Sequence, residues 1–423
     1  MQTIIVFILV LSVLVFVHEL GHFIFAKRAG ILVREFAIGF GPKLIAWRRN
    51  ETLYTLRILP LGGYVRMAGE DPEMIEIKTG SQVWAVQNDQ GEVTDVYLYS
   101  DAPTSETMVQ GRVVDMDLEK DLYLLLEDET GDEVRLPLHR QAIIHFDRKQ
   151  EMQIAPLNRQ FGSKTILQRA LTIFAGPLFN ILMTIFLFIV VTFMIGLETG
   201  VSVDTAEPGS PAAEAGLQPG DRIESVDNKK IRSADDLRIA IQEAKGEPLT
   251  FKVKRQDEVF ETQVIPEWND EYKQYWINVL LQQERKDPTI LEAIGNGFVQ
   301  TKVWTVRIFE GLGSLITGQA GLKSFAGPLG IAEITGQAAK AGLSQVIWLT
   351  AVISLNLAIF NLLPIPALDG SRLVFIGLEA IRGKPIDPNK ESMVHFVGFA
   401  MLILLMLLVT YNDIMRIFFG QTG

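Results

Sequence analysis

The sequence predicts a multi-pass α-helical membrane protein with four transmembrane helices, cytosolic β-hairpins, a β-rich cytosolic insert and one extracytoplasmic domain. Three observations lead to this fold class. Of the 423 residues, 48% are hydrophobic, and the most apolar stretches form four blocks. Two long polar stretches with strand-like patterns separate these blocks. The basic residues beside the blocks indicate which side of the membrane each stretch occupies.

A helix that crosses a bilayer needs about 20 consecutive apolar residues. The four apolar blocks approach or exceed this length, and they cover residues 2–26, 170–195, 345–365 and 394–411. With their flanks they define four predicted domains, 1–28, 166–197, 342–371 and 393–418. The first block lacks a basic start and a small-residue cleavage motif, so we expect it to be retained rather than removed as a signal peptide.

The distribution of Lys and Arg predicts the orientation, because the cytoplasmic flanks of membrane helices carry the positive charge. Basic residues follow the first helix and precede the second helix. They also occupy residues 372–392, which are predicted to form a cytosolic loop. The three signals agree, and they predict a cell (plasma) membrane protein with its N- and C-termini outside.

Two cytosolic segments are predicted between the first and second helices. Residues 29–71 contain β-like runs punctuated by glycine and are expected to form membrane-associated β-hairpins. Residues 72–165 are expected to form a separate acidic insert with three strands joined by polar turns. The formal net charge of the whole chain is −11, and residues 70–151 alone carry −13. Nothing in this pattern favours nucleic-acid binding, and it indicates no specific role for the insert.

Residues 198–285 are predicted to form the extracytoplasmic domain. A loop, a short helix, a strand, a longer amphipathic helix and two alternating strands follow one another, and residues 212–226 carry the pattern of a bacterial PDZ-like domain. Such domains bind an extended peptide along a strand edge. The alternative is that this one is only a rigid cap.

Residues 286–341 are predicted to form an amphipathic surface helix and a loop. The first part of this segment places apolar residues at helical spacing. It also contains charged residues that would be costly at membrane depth, which favours a helix lying on the membrane surface.

The first transmembrane helix ends with His-Glu-Leu-Gly-His at residues 18–22. Residues i and i+4 share one face of an α-helix, so His18 and His22 can bind one metal ion while Glu19 points beside it. Ionisable groups inside a membrane are expensive and are by default functional. The pattern predicts a metal site, with polar helix–helix contacts as the alternative.

Two imidazoles do not complete a catalytic zinc site, which commonly has three protein ligands and one open position. We expect the third ligand at the same depth, near the cytoplasmic side. Asp369 is the first candidate, because two prolines break the third helix just before it. His395 is the second candidate and Glu35 ranks lower. Asp413 lies at the opposite end of the fourth helix and is excluded.

Several motifs together resemble the site-2 protease family, in its RseP/RasP branch of bacterial intramembrane zinc metalloproteases. They are HELGH at 18–22, LGGYV at 61–65, AGPLFN at 175–180, NLLPIPALDG at 361–370 and the single PDZ-like unit. The resemblance covers nearly the whole chain except the insert. It implies that His18, His22 and Asp369 bind Zn²⁺ and that Glu19 is catalytic by activating a zinc-bound water.

The resemblance also implies the substrates. They are transmembrane segments of single-pass membrane proteins, cut in regulated intramembrane proteolysis, such as trimmed anti-sigma factors or remnant signal peptides. A helical substrate must be unwound before it is cut. The run Gly62, Gly63, Tyr64 and Val65 resembles a strand edge proposed for holding it, with an ordinary glycine turn as the alternative.

Further positions in two of these motifs carry weaker expectations. Asn361 is expected to bind the unwound substrate backbone or to orient Asp369, with a helix cap as the alternative. Gly176, Pro177 and Asn180 are expected to serve close packing and a kink beside the first helix rather than catalysis.

Two other functions fit parts of the sequence. A membrane metal transporter would explain buried His and Asp residues, but the chain lacks the matching halves found in many transporters. A non-proteolytic PDZ adaptor would use only the outer domain. The expected partners are single-pass transmembrane substrates, the lipid bilayer and a peptide or protein ligand of the PDZ-like domain, with no nucleic acid.

Overall fold

The computed structural model describes residues 2–70, 77–99, 107–128, 130–148, 150–270, 272–319 and 326–419. The chain forms two compact units. The first consists of Met1–Thr184 and Trp304–Gly423, and the second consists of Ile185–Val303.

Within the described ranges, four helices are long and apolar enough to cross a membrane. The helices are, in chain order, α1 (Gln2–Arg28), α2 (Ile166–Ile195), α3 (Pro211–Glu214), α4 (Ala234–Ala244), α5 (Ile290–Ile316), α6 (Pro328–Ala341), α7 (Leu343–Leu362), α8 (Asp369–Arg382) and α9 (Pro388–Phe419). The membrane-crossing helices are α1, α2, α7 and α9. The prediction of four transmembrane helices is therefore confirmed.

A two-stranded sheet follows α1 directly. Strands β1 (Val33–Arg49) and β2 (Thr52–Met67) are long and repeatedly shifted in register. As a result, residues 35–38 of β1 pair with residues 53–56 on one side and with residues 63–66 on the other. The last part of β2 lies at an edge of this sheet, since β1 is its one strand partner among the described residues.

The insert forms its own sheet with its own apolar core. Its strands are β3 (Gln82–Gln87), β4 (Val93–Tyr97), β5 (Met108–Asp117), β6 (Tyr123–Glu127), β7 (Glu133–His145) and β8 (Glu151–Gln153). The strand order is β4-β3-β5-β6-β7-β8, and β4 also pairs with β7. This extra pairing closes five strands into a small barrel around side chains such as Val83, Leu124 and Ile144, which are fully buried.

The second unit contains a six-stranded sheet with two helices, α3 and α4. Its strands are β9 (Leu197–Ala206), β10 (Arg222–Val226), β11 (Lys229–Lys230), β12 (Leu249–Arg255), β13 (Glu258–Val264) and β16 (Val279–Lys286), with a separate pair β14 (Glu267–Asn269) and β15 (Gln274–Trp276). Their order is β13-β12-β10-β9-β16, and β11 pairs with β10. The sheet and helices form the β-rich, PDZ-like region that the sequence predicts.

Helix α6 adds an element that the sequence did not predict. Residues 286–341 were expected to form one helix and a loop, but they contain both α5 and α6. Pro328 suits the first turn of a helix, and the carboxylate of Asp413 on α9 accepts a hydrogen bond from the Gly330 backbone N–H at 2.8 Å. This cap comes from a distant part of the chain, so no local pattern could reveal it.

The segment expected as a loop between the third and fourth membrane helices also differs. Most of α8 falls within residues 372–392, and α8 begins at Asp369 itself. Ile376 buries against the core beside the hairpin sheet. Glu379 accepts two hydrogen bonds from the Arg169 guanidinium on α2. These tertiary contacts hold the segment in a helix.

Candidate metal centre

The two histidines of the HELGH motif lie one turn apart near the end of α1. Both side chains are buried, with 8% of His18 and 7% of His22 exposed. Their Nε2 atoms are 3.2 Å apart, and the rings meet edge to face. The helix therefore presents two imidazole nitrogens to one point.

Asp369 reaches the same point from a distant part of the chain. Helix α7 ends at Leu362, and the following turn holds Ala367 in a left-handed conformation with φ of 73°. The Oδ2 atom of the Asp369 carboxylate lies 3.2 Å from the Nε2 of His18 and 3.4 Å from that of His22. These three residues form the one His/Asp/Glu cluster with metal-site spacing among the described residues.

The donor set fits a zinc ion. Zinc bonds of about 2.0–2.1 Å in a tetrahedral site place neighbouring ligand atoms about 3.3 Å apart. The three measured separations are close to this value. The Oδ2 atom of Asp369 is buried and receives no hydrogen bond from the described residues, as expected for an oxygen that faces a cation. Nitrogen and carboxylate ligands suit zinc.

Helix α2 supplies the partners of the outer ring nitrogens. The Nδ1 of His22 donates to the backbone carbonyl of Thr172 at 2.9 Å. Because a carbonyl can only accept, this contact leaves the Nε2 lone pair free to bind a metal. The Nδ1 of His18 lies 3.2 Å from the side-chain amide of Asn180, which is fully buried.

Two glycines let α1 and α2 approach closely at this point. A Cβ atom on Gly21 would collide with the carbonyl group of Ala175, and a Cβ atom on Gly176 would collide with both imidazoles. Sequence reasoning assigned Gly176 to packing but did not connect it with the metal site. The Gly-Pro in AGPLFN was the available signal, and it did not say which residues pack against the glycine.

Glu19 lines the same cavity as the three candidate ligands. The cavity has a volume of about 580 Å³. Its wall also includes residues 63–67 of β2, Asn361 and Arg372. Gly63 is so close to α1 that a Cβ atom there would lie 3.1 Å from Cγ of Glu19. The Glu19 carboxylate, the three candidate metal ligands and a strand edge therefore line one cavity.

The strand segment predicted to bind substrate lies beside Glu19. Gly63, Tyr64 and Val65 line the cavity, and Gly62 has φ of 97°, which favours glycine. Tyr64 pairs with Ala37 of β1 on one side. The other side of Tyr64 faces the open edge of the sheet and has no strand partner among the described residues.

Sequence reasoning did not anticipate the ion pair between Arg372 and Glu70. Both residues line the cavity, and the Arg372 guanidinium also lies over the ring of Phe161 at 5.5 Å. Burial opposes the charge of Arg372, but the pairing with Glu70 raises the pKa of Arg372 above its ordinary value. The pair connects α8, which begins at Asp369, to the chain just after β2.

His395, the second candidate for the third ligand, lies elsewhere. Its Nδ1 accepts a hydrogen bond from the backbone N–H of Ala367 at 3.0 Å, and its Nε2 is 3.8 Å from Glu391. His395 therefore contacts the turn that precedes Asp369 rather than the cluster of three candidate ligands.

Glu35, the lower-ranked candidate, is bound within the hairpin sheet. It accepts hydrogen bonds of 2.7 Å from Thr55 and from Arg57. Burial alone would raise the pKa of Glu35, but these hydrogen bonds lower it. Asp413, which the sequence excluded as a ligand, contacts α6 through its carboxylate.

Comparison with known proteins relates the chain to zinc metalloproteases. A profile of peptidase family M50 matches residues 6–405. The zinc metalloprotease RasP of Geobacillus kaustophilus is 44% identical over 99% of both chains. The regulator of sigma-W protease RasP of Bacillus subtilis is 42% identical over 99% of both chains. The probable protease eep of Enterococcus faecalis is 42% identical over 99% of this chain and 100% of its own.

Among the solved structures that match part of the chain is a PDZ domain. The PDZ domain of the SdrC-like protein from Listeria innocua covers 21% of this chain and 99% of its own. The match has 23% sequence identity and a TM-score of 0.19.

Proposed function

This chain belongs to peptidase family M50 and is a RasP-type intramembrane zinc metalloprotease, and from this premise we propose which residues act and on what. His18, His22 and Asp369 hold the zinc ion, and Glu19 is the general base. The substrates are transmembrane segments of single-pass membrane proteins. The observation that carries the proposal is the convergence of three ligand atoms within 3.4 Å of one another in the cavity that Glu19 lines.

Peptide hydrolysis requires a polarised carbonyl, an activated water and a protonated leaving amine. When bound, zinc supplies Lewis acidity for the first two requirements. Glu19 follows His18 directly in α1 and faces the shared cavity, so its carboxylate accepts the proton of the attacking water. The same group then delivers that proton to the leaving amine. No covalent intermediate with the protein is required.

The edge of β2 presents the substrate. A transmembrane helix hides its amides in its own hydrogen bonds, so it must be extended locally before attack. The edge at Gly63, Tyr64 and Val65 offers main-chain groups for strand addition, and it lies next to Glu19. Asn361 of α7, on the cavity wall, also binds the extended backbone. Gly62 provides the backbone conformation that begins this edge.

We propose two substrate classes by analogy with the family. A relative is named for its action as a regulator of sigma-W, which favours trimmed anti-sigma factors, and remnant signal peptides are the second class. The PDZ-like domain binds a peptide or protein ligand along its sheet. The protein is a multi-pass membrane protein, and we place its active site near the cytoplasmic side and its PDZ-like domain outside, since the basic residues follow that pattern.

A cleavage assay with a matched zinc measurement tests these roles. Wild type and Glu19→Gln are purified in detergent, and each is incubated with a model single-pass membrane helix. We expect Glu19→Gln to retain the zinc content of wild type and to lose cleavage, because it keeps the ligands and removes the base. Equal cleavage by both proteins would refute Glu19 as the base. Zinc without cleavage in wild type, across several membrane helices, would refute the substrate class.

A further inference from the structure

The environment of Asn180 assigns it a role that the packing interpretation does not include. Asn180 lies on α2, and none of its surface is exposed. Its backbone carbonyl accepts hydrogen bonds from Thr184 and from Ser354 on α7, each at 2.9 Å. These contacts involve the backbone of Asn180 alone. Its side-chain amide lies separately beside the imidazole of His18.

The contact between the amide and His18 depends on which way the amide is turned. The oxygen and nitrogen of an amide are interchangeable in shape, and hydrogen bonding decides between them. With the nitrogen Nδ2 toward His18, 3.2 Å from Nδ1, the buried oxygen Oδ1 has no partner in the described part of the chain. With the amide reversed, the oxygen faces Nδ1 and can accept its proton.

Metal binding selects between the two orientations. The Nε2 of His18 faces His22 and Asp369, so it must offer a lone pair when the ion is bound. The proton of the neutral ring then sits on Nδ1. An amide N–H facing an Nδ1–H would bring two donors together at 3.2 Å. The amide oxygen must therefore be the group that faces the ring.

We propose that Asn180 is a positioning residue for the metal centre, whose side-chain oxygen accepts the Nδ1–H of His18 and holds that ring in its metal-binding tautomer. It does for His18 what the carbonyl of Thr172 does for His22. Both acceptors come from α2, so this helix orients both imidazoles of α1. The inference rests on the proposed zinc ligands.

Zinc affinity in three variants tests this role. Asn180→Leu removes the acceptor, and Asn180→Asp keeps an acceptor but cannot donate. Ser354→Ala is the control, because it removes a hydrogen bond to the backbone of Asn180 without touching His18. Each purified full-length protein is equilibrated with a zinc buffer, and the free zinc concentration at half occupancy is measured. Thermal unfolding of the metal-free proteins checks that each variant folds.

Loss of an outer hydrogen-bond partner of a metal-binding histidine lowers metal affinity by about 10- to 100-fold. We expect this loss in Asn180→Leu, and an affinity close to wild type in Asn180→Asp and Ser354→Ala. An unchanged affinity in Asn180→Leu would overturn the inference, and so would an equal loss in Asn180→Asp. Absence of bound zinc in wild type would instead overturn the proposed metal site.

A measurement on wild type keeps the inference testable even if a variant does not fold. Nitrogen NMR of zinc-loaded protein with labelled histidine reports the protonation of each ring nitrogen. We expect two zinc-bound rings, both protonated at Nδ1. A zinc-bound ring that lacks the Nδ1 proton would contradict the role of Asn180.

Discussion

The surroundings of the metal centre and the cytosolic insert differ in how tightly their backbones are constrained. At the metal centre, α1 and α2 touch at Gly21 and Gly176, and neither position leaves room for a Cβ atom. In the insert, a Cβ atom added to the turn glycines Gly80, Gly91 or Gly131 would meet nothing within 4 Å, whereas Gly111 in β5 lies against the neighbouring strand β6. The sheet beside the metal centre has an open edge, whereas the insert closes into a barrel.

This difference shows which part of the chain contains energetically unfavourable features. Glycine inside a helix is unfavourable relative to alanine, and an open strand edge is a liability for association with other chains. Both features lie beside the candidate ligands and Glu19. The strands of the insert close into a barrel. Among its described residues, no Asp, Glu, His, Lys or Arg is buried. Substitutions should therefore have their largest effects around the metal centre.

The largest effect is expected for Gly176→Ala. The added methyl group would meet the imidazoles of His18 and His22, which must then move. A displacement of about 1 Å at a catalytic site costs about 100-fold in rate. We expect both the zinc content and the cleavage rate to fall. The value of kcat/KM should fall by at least this factor of about 100.

Gly377→Ala on α8 is the matched control, because nothing lies within 4 Å of its Cβ position. Alanine is favoured over glycine in a helix by about 1 kcal/mol, so this variant should be as stable as wild type or more stable. Normal zinc content and cleavage in Gly176→Ala would show that the two helices are less closely packed than we describe.

The next effect concerns the open edge of β2. Neighbouring residues in a strand direct their N–H groups to opposite sides. Of the two variants with proline at position 64 or at position 65, one therefore loses an inward N–H group, which faces β1, and the other loses an outward N–H group, which faces the open edge. Proline is tolerated at the outward position. We expect that one of these two variants keeps its zinc and its unfolding temperature but loses about tenfold in kcat/KM, the value of about one hydrogen bond.

Tyr64→Phe is the control for the position 64 variant, because the hydroxyl of Tyr64 also contacts Arg57. It should cleave nearly as well as wild type. Normal cleavage in both proline variants would refute strand addition at this edge.

A smaller effect is expected where the hairpin sheet meets the insert. Glu51 pairs with Arg159 and accepts a hydrogen bond from Gln153 at 2.7 Å. These contacts, the Arg159 hydrogen bond first, lower the pKa of Glu51 to about 2. A carboxylate with a depressed pKa stabilises the folded state above its ordinary pKa of 4.5 and loses this contribution as the pH falls through about 2.

Glu51→Gln should therefore lower the unfolding temperature at pH 7, and the difference from wild type should shrink as the pH falls from about 4.5 to about 2. Tryptophan fluorescence during heating measures this difference. Zinc content and cleavage at pH 7 should stay close to wild type. A difference that does not change with pH would exclude the ionised pair as its cause.

The smallest effect is expected within the insert. Asp128 accepts hydrogen bonds from the backbone N–H groups of Thr130 and Asp132 at 2.8 and 3.0 Å, and these bonds hold a surface turn. Asp128→Ala should lower the unfolding temperature by no more than a few degrees and leave cleavage unchanged. A large loss of cleavage would mean that the insert takes part in catalysis after all.

Local patterns were sufficient to predict the elements whose chemistry is local. Apolar length predicted the four membrane helices, and the spacing of His18 and His22 predicted that they share one face. The prolines before Asp369 indicated a turn toward the bundle. The structure brings all three side chains together, and their role as zinc ligands remains a proposal.

Features that depend on distant contacts were not predictable. The relation of Gly176 and Asn180 to the imidazoles depends on which face of α2 packs against α1, and no spacing within AGPLFN specifies this. Helix α6 depends on a cap from Asp413, and helix α8 on Arg169. The closure of the insert depends on the pairing of β4 with β7, which are separated by two other strands in sequence.

The most direct test of the metal centre is X-ray absorption at the zinc edge of purified wild-type protein. The chain contains five histidines and no cysteine, so imidazole scattering can be counted without interference from sulfur. We expect zinc with two imidazoles and an oxygen ligand set, at about 2.0–2.1 Å. A spectrum with one imidazole or three would contradict the convergence of His18, His22 and Asp369 on one ion.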